Sequence, residues 1–254
     1  MTFRPREEAA TFAVAVQFLT RLPVPAGAYT PGRLRAAVRY YPLVGILVGG
    51  AAALVMLAAA GPFTPLIAIL LSCAATLLLT GAFHEDGLAD TFDGIGGAGR
   101  ARALEIMRDS RIGTYGALAL PIVLALKIAA LAALPPPTVP IALIAAHGLS
   151  RLSAVLVVAT SRYARDDGTG KFTADGVAAG SLLVALGTGA LIAAAIGWNI
   201  GGTGVLFALA GLGIGHGAAR LVFERRLGGY TGDCLGAVQQ LSEVGIYLGL
   251  LAWA

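Results

Sequence analysis

Charge is scarce in this sequence, and cysteine is nearly absent. Only 13% of the 254 residues are charged and 57% are hydrophobic, whereas a soluble domain carries about 25% charged residues. The mean hydropathy of +0.80 excludes an ordinary soluble domain and indicates an integral membrane protein. We therefore expect an all-α fold, a polytopic membrane helix bundle of about seven transmembrane helices with an N-terminal interfacial helix.

The two cysteines, Cys73 and Cys234, lie 161 positions apart. Neither has another cysteine nearby, which excludes a C-x-x-C motif and a disulfide framework. The net charge of +4 is compatible with nucleic-acid binding, but the arginines follow a membrane topology, so we expect no nucleic-acid partner.

Seven apolar segments are long enough to cross a membrane. They lie at residues 41–60, 63–83, 112–134, 138–160, 177–198, 203–223 and 234–254. The apolar run at 9–19 rises only about 17 Å as a helix, so we expect it to lie on the membrane surface. A cleaved signal peptide is the alternative, and Glu7 and Glu8 argue against it. We predict a single integral-membrane domain over 1–254, with 1–40 as the N-terminal segment and 41–254 as the bundle.

Basic residues alternate between the two sides of this predicted bundle. The turns at 61–62, 135–137 and 199–202 are uncharged, whereas the N-terminal segment and the loops near 100–111, 162–171 and 225–226 carry arginines and one lysine. By the positive-inside rule, the basic loops and the N-terminus are cytoplasmic and the C-terminus is outside.

Small residues and a few buried charges stand out within the spans. Glycines 211, 213, 215 and 217 are expected to let helices approach closely. Lys127 lies near the outer end of a span, where we expect it to snorkel. Arg151 lies within an apolar segment, where an unpaired arginine costs about 2.5 kcal/mol or more. Arg151 is the last residue of an H-G-x-x-R pattern that begins at His147 and recurs at 216–220. We expect Arg151 to bind an anion or to pair with carboxylates.

The most acidic stretch of the chain is H-E-D-G-L-A-D-T-F-D-G at 84–94, which holds four of its 14 acidic residues. If the preceding span continues as a helix, Asp86, Asp90 and Asp93 share one stripe and Glu85 lies about a quarter-turn away. Acids at the carboxyl end of a helix oppose its dipole, so capping does not explain them. Oxygen ligands in this arrangement suit Mg²⁺ or Mn²⁺; a solvated polar helix end is the alternative.

Possible phosphate donors follow the acidic stretch. The G-x-G-x-x-G at 94–99 follows no strand, so it does not indicate a dinucleotide fold. The segment 102–116 supplies Arg108, Ser110 and Arg111, the donor types that phosphate needs, although anchoring by positive charge explains the arginines alone. The polar loop 165–173, which contains Lys171, has the composition of a loop that contacts polyphosphate or a nucleotide, with a solvated turn as the alternative. Asp233, between glycines, is expected to complete the coordination of the cation from a different helix. With no serine or cysteine nucleophile beside a base, these residues indicate phosphoryl transfer by positioning and charge neutralisation.

Three motifs together resemble the cobalamin synthase family, adenosylcobinamide-GDP ribazoletransferase. They are the acidic stretch, the R-x-L-E-I-M-R-D-S-R-I-G-T-Y-G run at 102–116 and G-Y-T-G-D-C-L-G-A-x-Q-Q-L-S-E at 229–243. F-L-T-R-L-P-V-P at 18–25 is also similar to that family's start. The resemblance runs from end to end of the chain.

The resemblance implies a Mg²⁺-dependent enzyme of the last steps of vitamin B12 synthesis in the bacterial inner membrane, with its active face cytoplasmic. It would join adenosylcobinamide-GDP to α-ribazole, or to its 5′-phosphate, and release GMP. The implied partners are these substrates and the lipid bilayer; a homo-oligomer stays open. The implied catalytic residues are Asp86, Asp90 and Asp93; the metal ligands are Glu85, Asp86, Asp90, Asp93 and Asp233; the substrate-binding residues are Arg108, Ser110, Arg111, Thr114, Tyr115 and Lys171. We add Arg151 to the substrate-binding residues, as the anion binder expected from its place in an apolar segment.

Two other classes of protein remain as alternatives. A membrane phosphotransferase of the CDP-alcohol type also uses an acidic helix end, but Asp90 and Thr91 stand where its D-G-x-x-A-R element has alanine and arginine. A cation-coupled transporter binds its ion with intramembrane carboxylates near the midplane, whereas the acids here are expected at one face.

Overall fold

The computed structural model describes residues 4–25, 28–166, 168 and 170–254, and these form helices with no named strand. The all-α prediction is confirmed. Short 3-10 turns lie at Val38–Tyr40, Pro136–Thr138 and Lys171–Thr173. The α-helices are α1 (Pro5–Leu19), α2 (Pro31–Ala37), α3 (Tyr41–Ala59), α4 (Pro65–Thr80), α5 (Phe83–Ile95), α6 (Arg100–Ile106), α7 (Thr114–Ala133), α8 (Val139–Thr160), α9 (Ala179–Leu227) and α10 (Gly232–Trp253).

Several of these helices are long and apolar enough to cross a membrane. There are five in the described chain, or six if the bent pair α4 and α5 counts as one span. Large apolar side chains face outward, with Leu78 77% and Leu191 73% exposed, as expected for a surface covered by lipid. The polytopic membrane bundle is confirmed, and the number of seven spans stays a prediction.

Helix α9 folds back on itself at Gly201. Its 49 residues include this one non-helical glycine, with φ +81°, in the predicted uncharged turn at 199–202. Before the break, Gly189 packs against Leu152 of α8; after it, His216 Nδ1 lies 2.8 Å from Ser153 Oγ. Two distant parts of α9 thus meet the same level of α8, as two antiparallel passes require.

Glycines bring α9 and α10 into backbone contact. A Cβ on Gly211 would collide with the carbonyl oxygen of Gly245, and one on Gly215 with that of Leu241. The expectation of close packing is confirmed at these positions. It is wrong for Gly213 and Gly217, where an added Cβ meets nothing within 4 Å. The reason is helical periodicity. Gly211 and Gly215 are four positions apart and share the side of α9 that faces α10, whereas Gly213 and Gly217 lie on another side of the helix.

The main apolar core joins α3, α4, α7, α8, α9 and α10. The predicted N-terminal helix is present as α1, and its 15 residues do not reach the length of a span. Val14, Ala15 and Leu19 bury its inner face against α2, α3 and Ala185 of α9. Its place at the membrane interface stays a prediction.

The apolar span and the acidic stretch are separate helices. Gly81 and Ala82 both have left-handed backbone, with φ of +67° and +56°, and α5 leaves α4 at 87°. The expectation of one continuous helix is wrong, because glycine in this conformation ends a helix. Glu85 and Asp86 therefore lie in the first turn of α5, where the helix dipole favours negative charge.

Candidate active site

The acidic residues line a cavity of about 600 Å³ between the start of α5 and the segment that precedes α7. We call it the acid cavity. Glu85, Asp86 and Asp90 supply its carboxylates, and Arg21 and Ser110 supply donors. The chain thus brings together three of the predicted metal ligands and one predicted phosphate donor. Sequence reasoning assigned Arg21 only to membrane topology.

The side-chain carboxylates of Asp86 and Asp90 have no hydrogen bond or ion pair among the described residues. They are four positions apart on α5, so they lie on one side of the helix. Asp233, Asp86 and Asp93 are near enough to repel the charge of Asp90, and Arg165 partly offsets them. Two unneutralised carboxylates on a cavity wall favour the binding of a cation from solution.

Asp93 is hydrogen-bonded to the start of a neighbouring helix. The backbone N–H of Gly113 donates to its Oδ2 at 2.7 Å, and that of Gly116 donates to its Oδ1 at 2.8 Å. These amides belong to the first turn of α7, whose N–H groups have no partner within the helix. The carboxylate caps α7 and does not line the acid cavity. Its predicted catalytic and metal-binding roles stay predictions, and capping is the task the structure gives it.

Asp233 approaches α5 from α10. Its Oδ2 lies 3.0 Å from Arg165 Nη2, and the Thr231 hydroxyl donates to it at 3.3 Å. The close approach depends on Gly87, where a Cβ would lie 2.7 Å from the backbone oxygen of Asp233. Asp233 thus stands beside Asp90 with a cation of its own. Sequence reasoning placed Arg165 in a polar loop and did not find this pair.

The residues predicted to donate hydrogen bonds to phosphate are spread over several surfaces. Ser110 lines the acid cavity, whereas Arg111 lines a separate cavity of about 420 Å³ and holds Asp109 through three side-chain hydrogen bonds. Arg108 and Thr114 are exposed, as is Lys171 on its 3-10 turn. The ring of Tyr115 is 54% exposed and lies against Gly96. The substrate-binding roles of these residues stay predictions.

Arg151 lies far inside the bundle, in a group that we call the buried charge cluster: Lys127, His147, Arg151 and Glu243. Glu243 Oε1 accepts from Lys127 Nζ at 2.8 Å, and its Oε2 lies 3.3 Å from His147 Nδ1. Arg151 Nη1 donates to the backbone oxygen of His147 at 2.9 Å. Arg151 also lies near the charges of Glu243 and Glu85, and its predicted role in substrate binding stays a prediction. Lys127 is only 4% exposed, so the expectation that it snorkels is wrong, because Glu243 neutralises it in place.

Gln240 joins the buried charge cluster to the acid cavity. Its Nε2 donates to Glu85 Oε1 at 2.8 Å, and its Oε1 accepts from Lys127 Nζ at 3.1 Å. Glu85 Oε2 is buried with no hydrogen-bond partner in the described part of the chain. Glu85 is therefore held through one carboxylate oxygen, and the other has no donor within the described ranges. The amide at position 240 gave no sequence signal beyond making its span polar.

The residues present suit a magnesium ion shared with a substrate. Within the described ranges, no three His, Cys, Asp or Glu side chains form a group that could hold a metal, so the five predicted ligands do not form one cage. Mg²⁺ usually takes one or two carboxylates and completes its shell with water and substrate phosphates. Asp86 and Asp90 meet that requirement, and Glu85 lines the same cavity.

Comparison with known proteins identifies the family. The family model of cobalamin-5-phosphate synthase matches residues 11–251. An adenosylcobinamide-GDP ribazoletransferase of Leptothrix cholodnii is 50% identical over 254 residues, covering 96% of each chain. Enzymes of that name from Shewanella woodyi and Shewanella baltica are 42% and 39% identical, over 98% and 94% of this chain. No solved structure matches. The chain belongs to the cobalamin-5-phosphate synthase family.

Proposed function

We propose that this protein is an adenosylcobinamide-GDP ribazoletransferase that depends on Mg²⁺ and works at the cytoplasmic face of the bacterial inner membrane. Membership of the family supports the transferase and gives no support to the CDP-alcohol phosphotransferase or the transporter. The observation that assigns the proposed reaction to a site is the acid cavity, where Asp86 and Asp90 have no ion-pair partner in the described chain and lie with Arg21 and Ser110.

In the proposed reaction, a ribose hydroxyl of α-ribazole attacks the phosphorus that carries the cobinamide. A new phosphorus–oxygen bond forms, the bond to the GMP oxygen breaks, and the hydroxyl proton passes to a base. Bound Mg²⁺ would neutralise the phosphate oxygens and the leaving GMP.

The chain's own residues position the reactants. The Arg21 guanidinium and the Ser110 hydroxyl can donate to phosphate oxygens in the acid cavity. Asp86 and Asp90 can hold the metal or accept the proton, since neither has a protein donor in the described chain. Gln240 fixes Glu85 from behind, and Asp93 fixes α5 against α7. Fixed carboxylates need little reorganisation during the reaction.

The test uses purified full-length protein in detergent with adenosylcobinamide-GDP, α-ribazole and Mg²⁺. We expect GMP release that stops when EDTA is added and returns with excess Mg²⁺. Absence of GMP release from folded protein would refute the transferase, and undiminished release in EDTA would refute the metal requirement. Omission of α-ribazole is the control for simple hydrolysis of the diphosphate.

A further inference from the structure

A second, apolar cavity adjoins the acid cavity. Phe83 lines both of them. The other residues that line the apolar cavity include Phe18 from α1, Tyr41 from α3, His84 from α5 and Phe172 from the segment between α8 and α9. A molecule that extended from one cavity to the other would therefore pass the ring of Phe83.

Four phenylalanine and tyrosine rings form a connected group on the walls of this cavity. Phe18 stands at the centre, stacked on Tyr41 at 5.9 Å and edge-on to Phe83 and Phe172 at 5.5 and 5.3 Å between ring centroids. Aromatic rings attract one another in these offset and edge-on arrangements. The cavity therefore suits a flat aromatic ligand better than an aliphatic or a charged one.

Two polar groups on these walls have no partner. The Tyr41 hydroxyl is buried and makes no hydrogen bond in the described chain. The His84 ring also makes none with any described residue, although it is only 5% exposed. Buried polar groups are nearly always satisfied, and an orphan indicates a missing partner. A hydroxyl and an imidazole can each donate a hydrogen bond as well as accept one, so a ligand with an acceptor atom would satisfy either group.

We propose that this cavity binds the base of α-ribazole. The inference rests on the proposed function and assigns one of its two substrates to a place. The base is a flat benzimidazole with a single free ring nitrogen, which accepts a hydrogen bond and leaves the rest of the bicycle apolar. Guanine, the base of the other substrate, has polar groups along its edges, and most of them would lack a partner here. The ribose would extend past Phe83 towards Asp86 and Asp90.

The cavity must open to take the base. Its volume is about 40 Å³, enough for a few water molecules but less than a bicyclic ring. Phe172 lies on the 3-10 turn Lys171–Thr173, whereas Phe18, Tyr41, Phe83 and His84 are fixed on helices. The ring that gives way on binding is therefore that of Phe172.

Steady-state kinetics of two variants of the full-length protein test this assignment. Tyr41→Phe removes an orphan hydroxyl, so we expect folding and the KM for adenosylcobinamide-GDP to be unchanged and the KM for α-ribazole to rise about tenfold. Phe172→Trp fills the cavity and should raise the KM for α-ribazole by more than tenfold. Tyr40→Phe is the matched control, because the Tyr40 hydroxyl bonds to Glu8 and does not line the cavity.

The outcomes separate this inference from the proposed function. Absence of GMP release from the wild-type protein would refute the function itself. Normal release with an unchanged KM for α-ribazole in both variants would refute the cavity assignment alone. A rise confined to the KM for adenosylcobinamide-GDP would give the cavity to that substrate, and would also overturn the proposal.

Discussion

The acid cavity and the buried charge cluster both contain carboxylates, but their neutralisation differs. In the cluster, Lys127 and His147 lie within 2.8 and 3.3 Å of the two oxygens of Glu243, and Tyr247 also donates to it. In the acid cavity, Asp86 and Asp90 have no such donors among the described residues. The chain thus balances its carboxylate where water is excluded and leaves carboxylates unbalanced where a cation can enter.

This difference separates a structural role from a binding role. A buried charge without a partner is strongly destabilising, so the cluster must remain complete for the bundle to be stable. Repulsion at the acid cavity is tolerated because solvent and ions reach it. Substitutions in the cluster should therefore change stability first, and those in the cavity should change activity first.

The largest effect is expected from Glu243→Leu. The variant leaves Lys127 and Arg151 with only Glu85 to balance them, and loss of one partner of a buried pair costs about 3–5 kcal/mol. We expect the melting temperature in detergent to fall by about 10 °C. The double variant Lys127→Met with Glu243→Leu removes one charge of each sign, so it should recover most of the loss. A single variant as stable as the wild type would show that the cluster is not structural.

A large loss of activity without loss of stability is expected from Asp90→Asn. The amide removes a charge from the acid cavity but keeps the shape of the side chain, so GMP release should fall about 10²- to 10³-fold. The melting temperature should stay the same or rise, because repulsion from Asp86 and Asp233 is relieved. Retained turnover would exclude Asp90 from the catalytic set.

Asp93→Ala distinguishes a helix cap from a metal ligand. Removal of a cap costs about 1–2 kcal/mol, since the N–H groups of Gly113 and Gly116 lose their acceptor. We expect a lower melting temperature both with and without Mg²⁺. Gly116→Ala is the companion variant, because its Cβ would press on the Asp93 carboxylate. A stability loss seen only in the presence of Mg²⁺ would instead make Asp93 a ligand.

The smallest effect is expected at the exposed pair of Asp109 and Arg111. Hydrogen bonds from Arg111 lower the pKa of the Asp109 carboxyl to about 2. A lowered pKa adds stability above the unfolded value of about 3.9, and the gain is lost as the pH falls towards 2. Because solvent screens this pair, Asp109→Asn should leave the melting temperature unchanged at pH 7 within error. A clear drop at pH 7 that disappeared at pH 2 would show that the pair is stronger than expected.

Hydropathy and charge were sufficient to predict the helices of the bundle, because a long run of apolar residues indicates a segment that lies in the membrane. The bend between α4 and α5 was not predictable in the same way, because Gly81 and Ala82 interrupt no apolar pattern. The ion pair of Lys127 with Glu243 was also not predicted. The two residues lie on α7 and α10, and the local sequence around each one does not indicate which distant residue it contacts. Asp93 continues the i, i+4, i+7 spacing that begins with Asp86 and Asp90, yet the backbone amides at the start of α7 donate hydrogen bonds to its carboxylate.

The shortness of α4 has a consequence for the surrounding lipid. Its 16 residues rise about 24 Å before the bend, several ångströms less than the roughly 30 Å of a bilayer's hydrocarbon layer. If α4 crosses the membrane without α5, the leaflet next to it thins to match its length. The mouth of the acid cavity would then open into a dimple in the headgroup layer, and a substrate as bulky as a corrinoid would meet phospholipid before it reached the carboxylates.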